Sequence, residues 1–379
     1  MDEERYVRCG AKRLRRGYTT GTCAALAAAG AAELLLTGRA PETLSLLTPG
    51  GLRVELRPEL LTMDGGSAVC AVKKDAGDDP DVTDGILIAA RVSRRERGIK
   101  LEAGEGIGRV TKPGLDQKVG EAAINSVPRK MIRAALETVR DEAGYGGGLS
   151  VTLSVPGGAE LAKKTFNPQL GIEGGISILG TSGIVEPMSE RALVDTIALE
   201  IRQAAASGSD ALVLTPGNYG MDYLREHFPA LKNIPAAKCS NFIGDAVDIA
   251  VTEGLRDVLL VGHVGKLVKL AGGIMNTHSR SADCRRELFC AHAALCGAGR
   301  ETCRELMEQV SADGCLAVLE KACLREAVME SLLPEIQAHL DRRAGGALRI
   351  GAILFSNVYG LLGETAGVKE LGFWRRERT

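Results

Sequence analysis

A chain of 379 residues is long enough for two domains with separate cores, and its apolar (45%) and charged (25%) fractions are those of ordinary globular protein. A formal net charge of −1 provides no general field for capturing nucleic acid or an anionic membrane, so anion binding must come from local groups of Arg and Lys. Aromatic residues make up only 3% against 47 glycines, which favours close backbone approach and tight turns over the stacking platforms of single-strand nucleic-acid binders.

The first element lies in RLRRGYTTGTCAALAAAGAAELLLTG, residues 13–38. Basic residues ahead of an Ala-rich run imitate a secretion signal, but Ala is a weak hydrophobe, Glu33 interrupts before Leu34, and such a signal has no use for TTGT. The better reading is a buried helix with small residues on every face, capped by Thr20 or Thr22, with an exposed positive end beside Arg15 and Arg16. No later segment has the apolar length of a bilayer span, and the protein is expected in the cytoplasm.

Short strands follow. LSLLT and LRVELR flank PGG as a hairpin; SAVCAVKK, GILIAARVS and GIKLEA are further strands; a helix spans 128–142 and LSVTLSV is another strand. Strands with few helices predict an α+β domain over 1–160 that includes the opening helix. Gly and Pro punctuate 157–175, where the junction is placed. Beyond it strands and helices alternate: GISILG then a helix from 189 to 206, DALVLT then a short helix, RDVLLVG then a helix from 266 to 271. A helical insertion over about 282–339 precedes a last strand, LRIGAILFS. This order predicts a Rossmann-like α/β domain over 161–379 with a largely parallel sheet. The ten cysteines lack the C-x-x-C pairs of a zinc ribbon and are expected mostly as buried thiols; no metal site is expected.

In such a sheet the loops after the strands gather at one edge, where ligands bind. GTSG (Gly180, Thr181, Ser182, Gly183), TPGNYG with Gly217 and Asn218, GHVGK with Gly262, Gly265 and Lys266, and SNVYG are therefore grouped into one pocket for a nucleotide-like ligand. GHVGK has the wrong glycine spacing for a phosphate-binding loop and Leu267 where magnesium needs Ser or Thr; GEGIG (residues 104–108) reads as a turn. In KKDAGDDPDVTDG, Asp75, Asp81 or Asp84 is expected to bond donors near the ligand. His263 and Asp75 are the candidate proton-handling groups, and His278 is expected to begin a helix.

Taken together and in order, RRGYTTGTCAALAA, KKDAGDDPDVTDG, GEGIGRVTKPGL, GEAAINSVPRKMI, GISILGTSGIVEPMS, KCSNFIGDAVDIA, VGHVGKLVKLAGGIMNTHSR and NVYG resemble the cobalt-precorrin-5B C(1)-methyltransferase family (CbiD family) of anaerobic cobalamin biosynthesis. The resemblance implies methyl transfer from S-adenosylmethionine to C-1 of a cobalt-containing tetrapyrrole, giving cobalt-precorrin-6A, with cobalt present only as part of the substrate. With that reaction, the glycine-rich loops are expected to hold the donor against Gly180, Thr181, Ser182, Gly183, Gly217, Asn218, Gly262 and Gly265, with the macrocycle in a cleft between domains. Arg15, Arg16, Thr19, Thr20, Gly21, Thr22, Lys112 and Lys266 would receive its carboxylates. Partners are then the cobalt-precorrin and transiently the neighbouring pathway enzymes, with self-association open and no nucleic acid or membrane. The other readings are a non-catalytic carrier of tetrapyrrole intermediates and, from the sheet alone, a nucleotide-dependent dehydrogenase, which lacks a complete dinucleotide fingerprint.

Overall fold

A computed structural model describes residues 5–9 and 12–377, and the chain is a mixed α/β protein of two compact units, Met1–Ser189 and Glu190–Thr379. The first unit runs past the junction expected near residue 160. Segment 172–185 pairs back into it: Val110 with Ile172, Ile107 with Ile176, Ile124 with Ile178, and Tyr18 with Ile184. GISILG is accordingly no strand of the parallel sheet; its isoleucines fill the core of the first unit through isolated bridges.

The sheet of the first unit has the order Leu60–Asp64, Ser67–Lys73, Leu87–Arg95, Gly148–Ser154, Ile99–Ala103, with only the last pair parallel. The expected hairpin is Leu44–Leu47 with Arg53–Leu56. Against the sheet lies the Ala-rich helix Thr20–Thr37, flanked by helix Ser126–Glu142. Its mean hydropathy and length would suit a membrane span, but 78% of it is buried inside this unit. Alanines on all sides let strands and helix approach closely, and Gly30 is needed for it, since a Cβ there would lie 2.7 Å from Leu44 Cδ2. Leu26, Leu34 and Leu35 add roughly 1.5–3 kcal/mol each by full burial.

In the second unit the strands Ala236–Lys238, Ala211–Thr215, Asp257–His263 and Arg349–Ser356 lie side by side in parallel, and Gly360–Glu364 closes the edge antiparallel. Their near-continuous apolar sequences fit a sheet covered on both faces. Leu212, Leu214, Val258, Leu260 and Leu354 face a large core shared with helices Glu190–Ala206, Ile243–Thr252 and Arg325–Ala344. Alternate residues Val213, Leu259, Val261 and Phe355 face a smaller core with Tyr223, Val368 and Trp374. The expected helical insertion is four helices, Arg285–Leu295, Arg300–Glu308, Ala312–Lys321 and Arg325–Ala344. His278 begins none of them; it stands in an irregular loop, its Nδ1 accepting the Arg280 N–H. Only Cys23, Cys70, Cys239 and Cys315 are buried, and all ten thiols are free, because the insertion helices keep several of theirs near the surface.

Candidate active site

The TTGT segment does not offer an exposed positive helix end. Thr19, and neither Thr20 nor Thr22, is the N-cap, its hydroxyl accepting the Thr22 N–H at 3.2 Å. Thr20 Oγ1 accepts the Leu179 N–H at 2.8 Å, Thr22 Oγ1 donates to Gly183 O at 2.6 Å, and the Gly21 N–H donates to Leu179 O at 3.0 Å. The helix end is thus roofed by GTSG. Gly180 (φ 135°) and Gly183 (φ 80°) are glycines because Thr19 and Thr22 lie beneath them; a Cβ on Gly183 would meet Thr22 Oγ1 at 2.8 Å. Gly180, Thr181, Ser182 and Gly183 therefore belong to the first unit and leave the group expected at the parallel sheet's edge.

The cations expected to receive carboxylates already have partners. Arg15 holds Asp75 through two bonds of 2.6 and 2.7 Å, and Arg16 donates to Glu186 at 2.8 Å. Lys112 lies against Gly171 and reaches Gln169 O at 3.4 Å. The Arg15 guanidinium, helped by the Gly77 N–H, holds the Asp75 carboxyl below its usual value of 3.8, so Asp75 is a weak proton acceptor at neutral pH. The rest of the acidic loop bonds donors of its own segment: Asp81 takes the buried Lys74 at 2.7 Å and caps Thr83, and Asp84 accepts the Ala76 N–H. Among the described residues no three His, Cys, Asp or Glu groups converge on a metal position.

The edge of the second unit is different. Strand Ala211–Thr215 connects to one side of itself and Asp257–His263 lies on its other side, so the loops after these two strands meet where the strand order reverses. Gly217 is the N-cap of helix Asn218–His227, with no side chain capping it and no atom within 4 Å of where its Cβ would stand. Lys266 Nζ donates to Pro216 O at 2.8 Å and lies 3.5 Å from Ser240 O, tying together the loops after adjacent strands. Burial lowers its pKa, and with its donors on main-chain carbonyls Lys266 holds the loops' shape instead of standing free for a carboxylate. Gly262 is tight, a Cβ there lying 3.0 Å from Leu267 Cγ, whereas Gly265 is looser, its nearest neighbour being His263 Nδ1 at 3.2 Å.

His263 has both ring nitrogens engaged. Nδ1 accepts the Gly265 N–H at 3.1 Å, which fixes the proton on Nε2, 3.5 Å from Asp313 Oδ2. Burial lowers the His263 pKa against the opposing pull of Asp313, so the ring is neutral at pH 7. Ser356 Oγ donates to Asp313 Oδ1 at 2.7 Å and is itself fixed by the N–H groups of Val358 and Tyr359. Asp313 and Ser356 were missed from sequence because the insertion separates Asp313 from both partners; SNVYG alone signalled the second. Thr215 Oγ1, at the end of its strand, is fully buried with no hydrogen-bond partner, and Tyr219, in the first turn of helix Asn218–His227, and Val358, in the loop after strand Arg349–Ser356, stand exposed.

Residues 7–187 match the CbiD family, and residues 276–366 match the CbiD C-terminal domain. A cobalt-precorrin-5B C(1)-methyltransferase of Ruminiclostridium cellulolyticum is 49% identical over 355 residues, spanning 94% of this chain and 92% of that one. The chain belongs to the CbiD family. A second relative of the same name, from Alkaliphilus metalliredigens, is 42% identical over 360 residues, with 95% and 94% covered. A crystal structure of the cobalamin biosynthesis protein CbiD from Archaeoglobus fulgidus is 30% identical over 74% of this chain and 87% of that one, with a TM-score of 0.40. In CbiD terms the TTGT segment and the acidic loop fall in the first matched region, Asp313 and Ser356 in the second, and Gly217 and His263 between them.

Proposed function

We propose that this chain is a cobalt-precorrin-5B C(1)-methyltransferase of cobalamin biosynthesis, taking its methyl group from S-adenosylmethionine. The observation that carries the reading is 49% identity to a relative of that name across nearly the full length of both chains. Cobalt enters with the substrate. The second unit is the donor-binding body: its strand order is that of a flavodoxin-like doubly wound sheet, which shares the Rossmann rule of binding at the switch in strand order, with Gly217, Asn218 and Gly265 at the reversal point. The residues there suit such a donor. Gly217 leaves open space before an uncapped helix end, Thr215 Oγ1 lacks a partner, and exposed Tyr219 offers an aromatic face.

Methyl transfer breaks the carbon–sulfur bond of the sulfonium and forms a carbon–carbon bond to the macrocycle, leaving a neutral thioether. Such a displacement depends on holding donor and acceptor in line more than on a nucleophilic side chain. His263 serves here as a positioning residue, because its two nitrogens are committed to Gly265 and Asp313. Lys266 and the Asp313–Ser356 pair hold the loops around it.

Calorimetric titration of the chain with S-adenosylhomocysteine is expected to show one saturable site. No heat of binding, with or without the macrocycle, would turn the reading toward a carrier of tetrapyrrole intermediates.

A further inference from the structure

We propose that the cavity at the start of helix Arg285–Leu295 is a carboxylate subsite in which Arg286 receives one side arm of the macrocyclic substrate, a proposal that rests on the methyltransferase reading. The cavity holds about 230 Å³ and is lined by Asp283, Arg285, Arg286, Gln309, Val310 and Ser311. Pockets for whole small-molecule ligands run to roughly 300–1,000 Å³, so this smaller volume suits an arm of acetate or propionate size with the ring outside.

The charge placement points to an anion. Two arginines open helix Arg285–Leu295, at the end where the helix dipole disfavours cations. Arg285 is answered by Asp283 at 2.5 and 2.9 Å. Arg286 is answered more loosely: Nη1 donates to Met307 O at 2.9 Å, and Nη2 makes a long ion pair with Glu287 Oε1 at 3.8 Å without a hydrogen bond. Its side chain is 46% exposed, and a guanidinium carries five donors in a fork that matches a carboxylate. The helix brings no side-chain cap of its own to this end. At the rim Val310 is 90% exposed, an apolar side chain beside a guanidinium, as an amphipathic ring with acidic arms requires.

Position agrees with chemistry. Ser311, on the cavity wall, is the N-cap of helix Ala312–Lys321, whose Asp313 reaches His263 and Ser356. The cavity wall at Ser311 is therefore two residues along the chain from Asp313, which contacts the carboxyl edge of the parallel sheet, within the same unit.

The donor's methionine part also carries a carboxylate, so the test has two arms: cobalt-precorrin-5B binding followed by absorbance under anaerobic conditions, and S-adenosylhomocysteine binding followed by calorimetry. Arg286→Gln is expected to weaken macrocycle binding roughly 10- to 100-fold, with Arg286→Lys between it and the parent, as for loss of a charge-assisted bond. Donor affinity should stay within about twofold. Val310→Glu, which removes no bond and touches no core, should weaken macrocycle binding about tenfold through like-charge repulsion. Unchanged macrocycle affinity in Arg286→Gln and Val310→Glu would overturn the subsite. A loss confined to S-adenosylhomocysteine would assign the cavity to the donor and equally overturn it. A parent protein that binds no macrocycle would overturn the methyltransferase reading itself, a result distinct from either variant effect.

Discussion

Gly17→Ala is expected to destabilise the first unit by more than about 3 kcal/mol, because the added methyl meets main chain that cannot swing away. Its Cβ would stand 2.5 Å from Ala76 Cα, with the carbonyl carbon and oxygen nearer still. The two segments cross here in both directions: the Tyr18 N–H donates to Asp75 O at 2.7 Å and the Asp78 N–H to Arg15 O at 2.9 Å. Gly77, at φ 69°, is the opposite face of the crossing, where a Cβ would lie 2.7 Å from the Gly17 nitrogen. Pushing the strands apart therefore breaks these bonds and the Arg15–Asp75 pair together. Urea unfolding followed by circular dichroism measures it, with Gly38→Ala as the control. Gly38 also has positive φ, 73°, but open space around it, so that change should cost only about 1–2 kcal/mol. A Gly17→Ala protein as resistant to urea as the parent would show that the crossing is looser than described.

Gly217→Val is expected to abolish donor binding, with at least a 100-fold loss of affinity by the order of magnitude of a filled site, while the fold persists. Gly217 has φ 168°, extended backbone open to any residue, and no neighbour within 4 Å of its Cβ position. Folding should change by less than about 1 kcal/mol, the difference between Gly and an apolar N-cap. Titration with S-adenosylhomocysteine measures the first effect and a thermal melt the second. Unaltered affinity in a folded variant would move the donor away from the reversal point of the sheet.

The fold was largely legible where local pattern decides it. DALVLT, RDVLLVG and LRIGAILFS are apolar runs bounded by turn residues, and each became a parallel strand. The Ala-rich run became a core helix, as small residues on all faces suggested. GISILG misled because a fully apolar run followed by glycine looks the same whether it joins a sheet or fills a core beside one, and only long-range pairing with Ile107 and Ile124 decides between them. The same holds for the site. Glycines at 180 and 183 resemble ligand-cradling glycines, yet they answer to threonines about 160 positions away in the chain. Arg15, Arg16 and Lys266 read as free cations because sequence shows charge and not its partner, and their partners stand at positions 75, 186 and 216. Arg286 and Asp313 carried no motif and become visible only when the helical insertion folds; Ser356 was signalled only as the first residue of SNVYG, without its partner Asp313.

Anaerobic incubation of the chain with cobalt-precorrin-5B and methyl-labelled S-adenosylmethionine, followed by locating the label on the product, tests the proposed reaction most directly. The label should appear at C-1 of the macrocycle together with an equal amount of S-adenosylhomocysteine. Label at another carbon would contradict the assigned regiochemistry, and an unlabelled macrocycle recovered from a protein that binds both compounds would contradict the transfer itself.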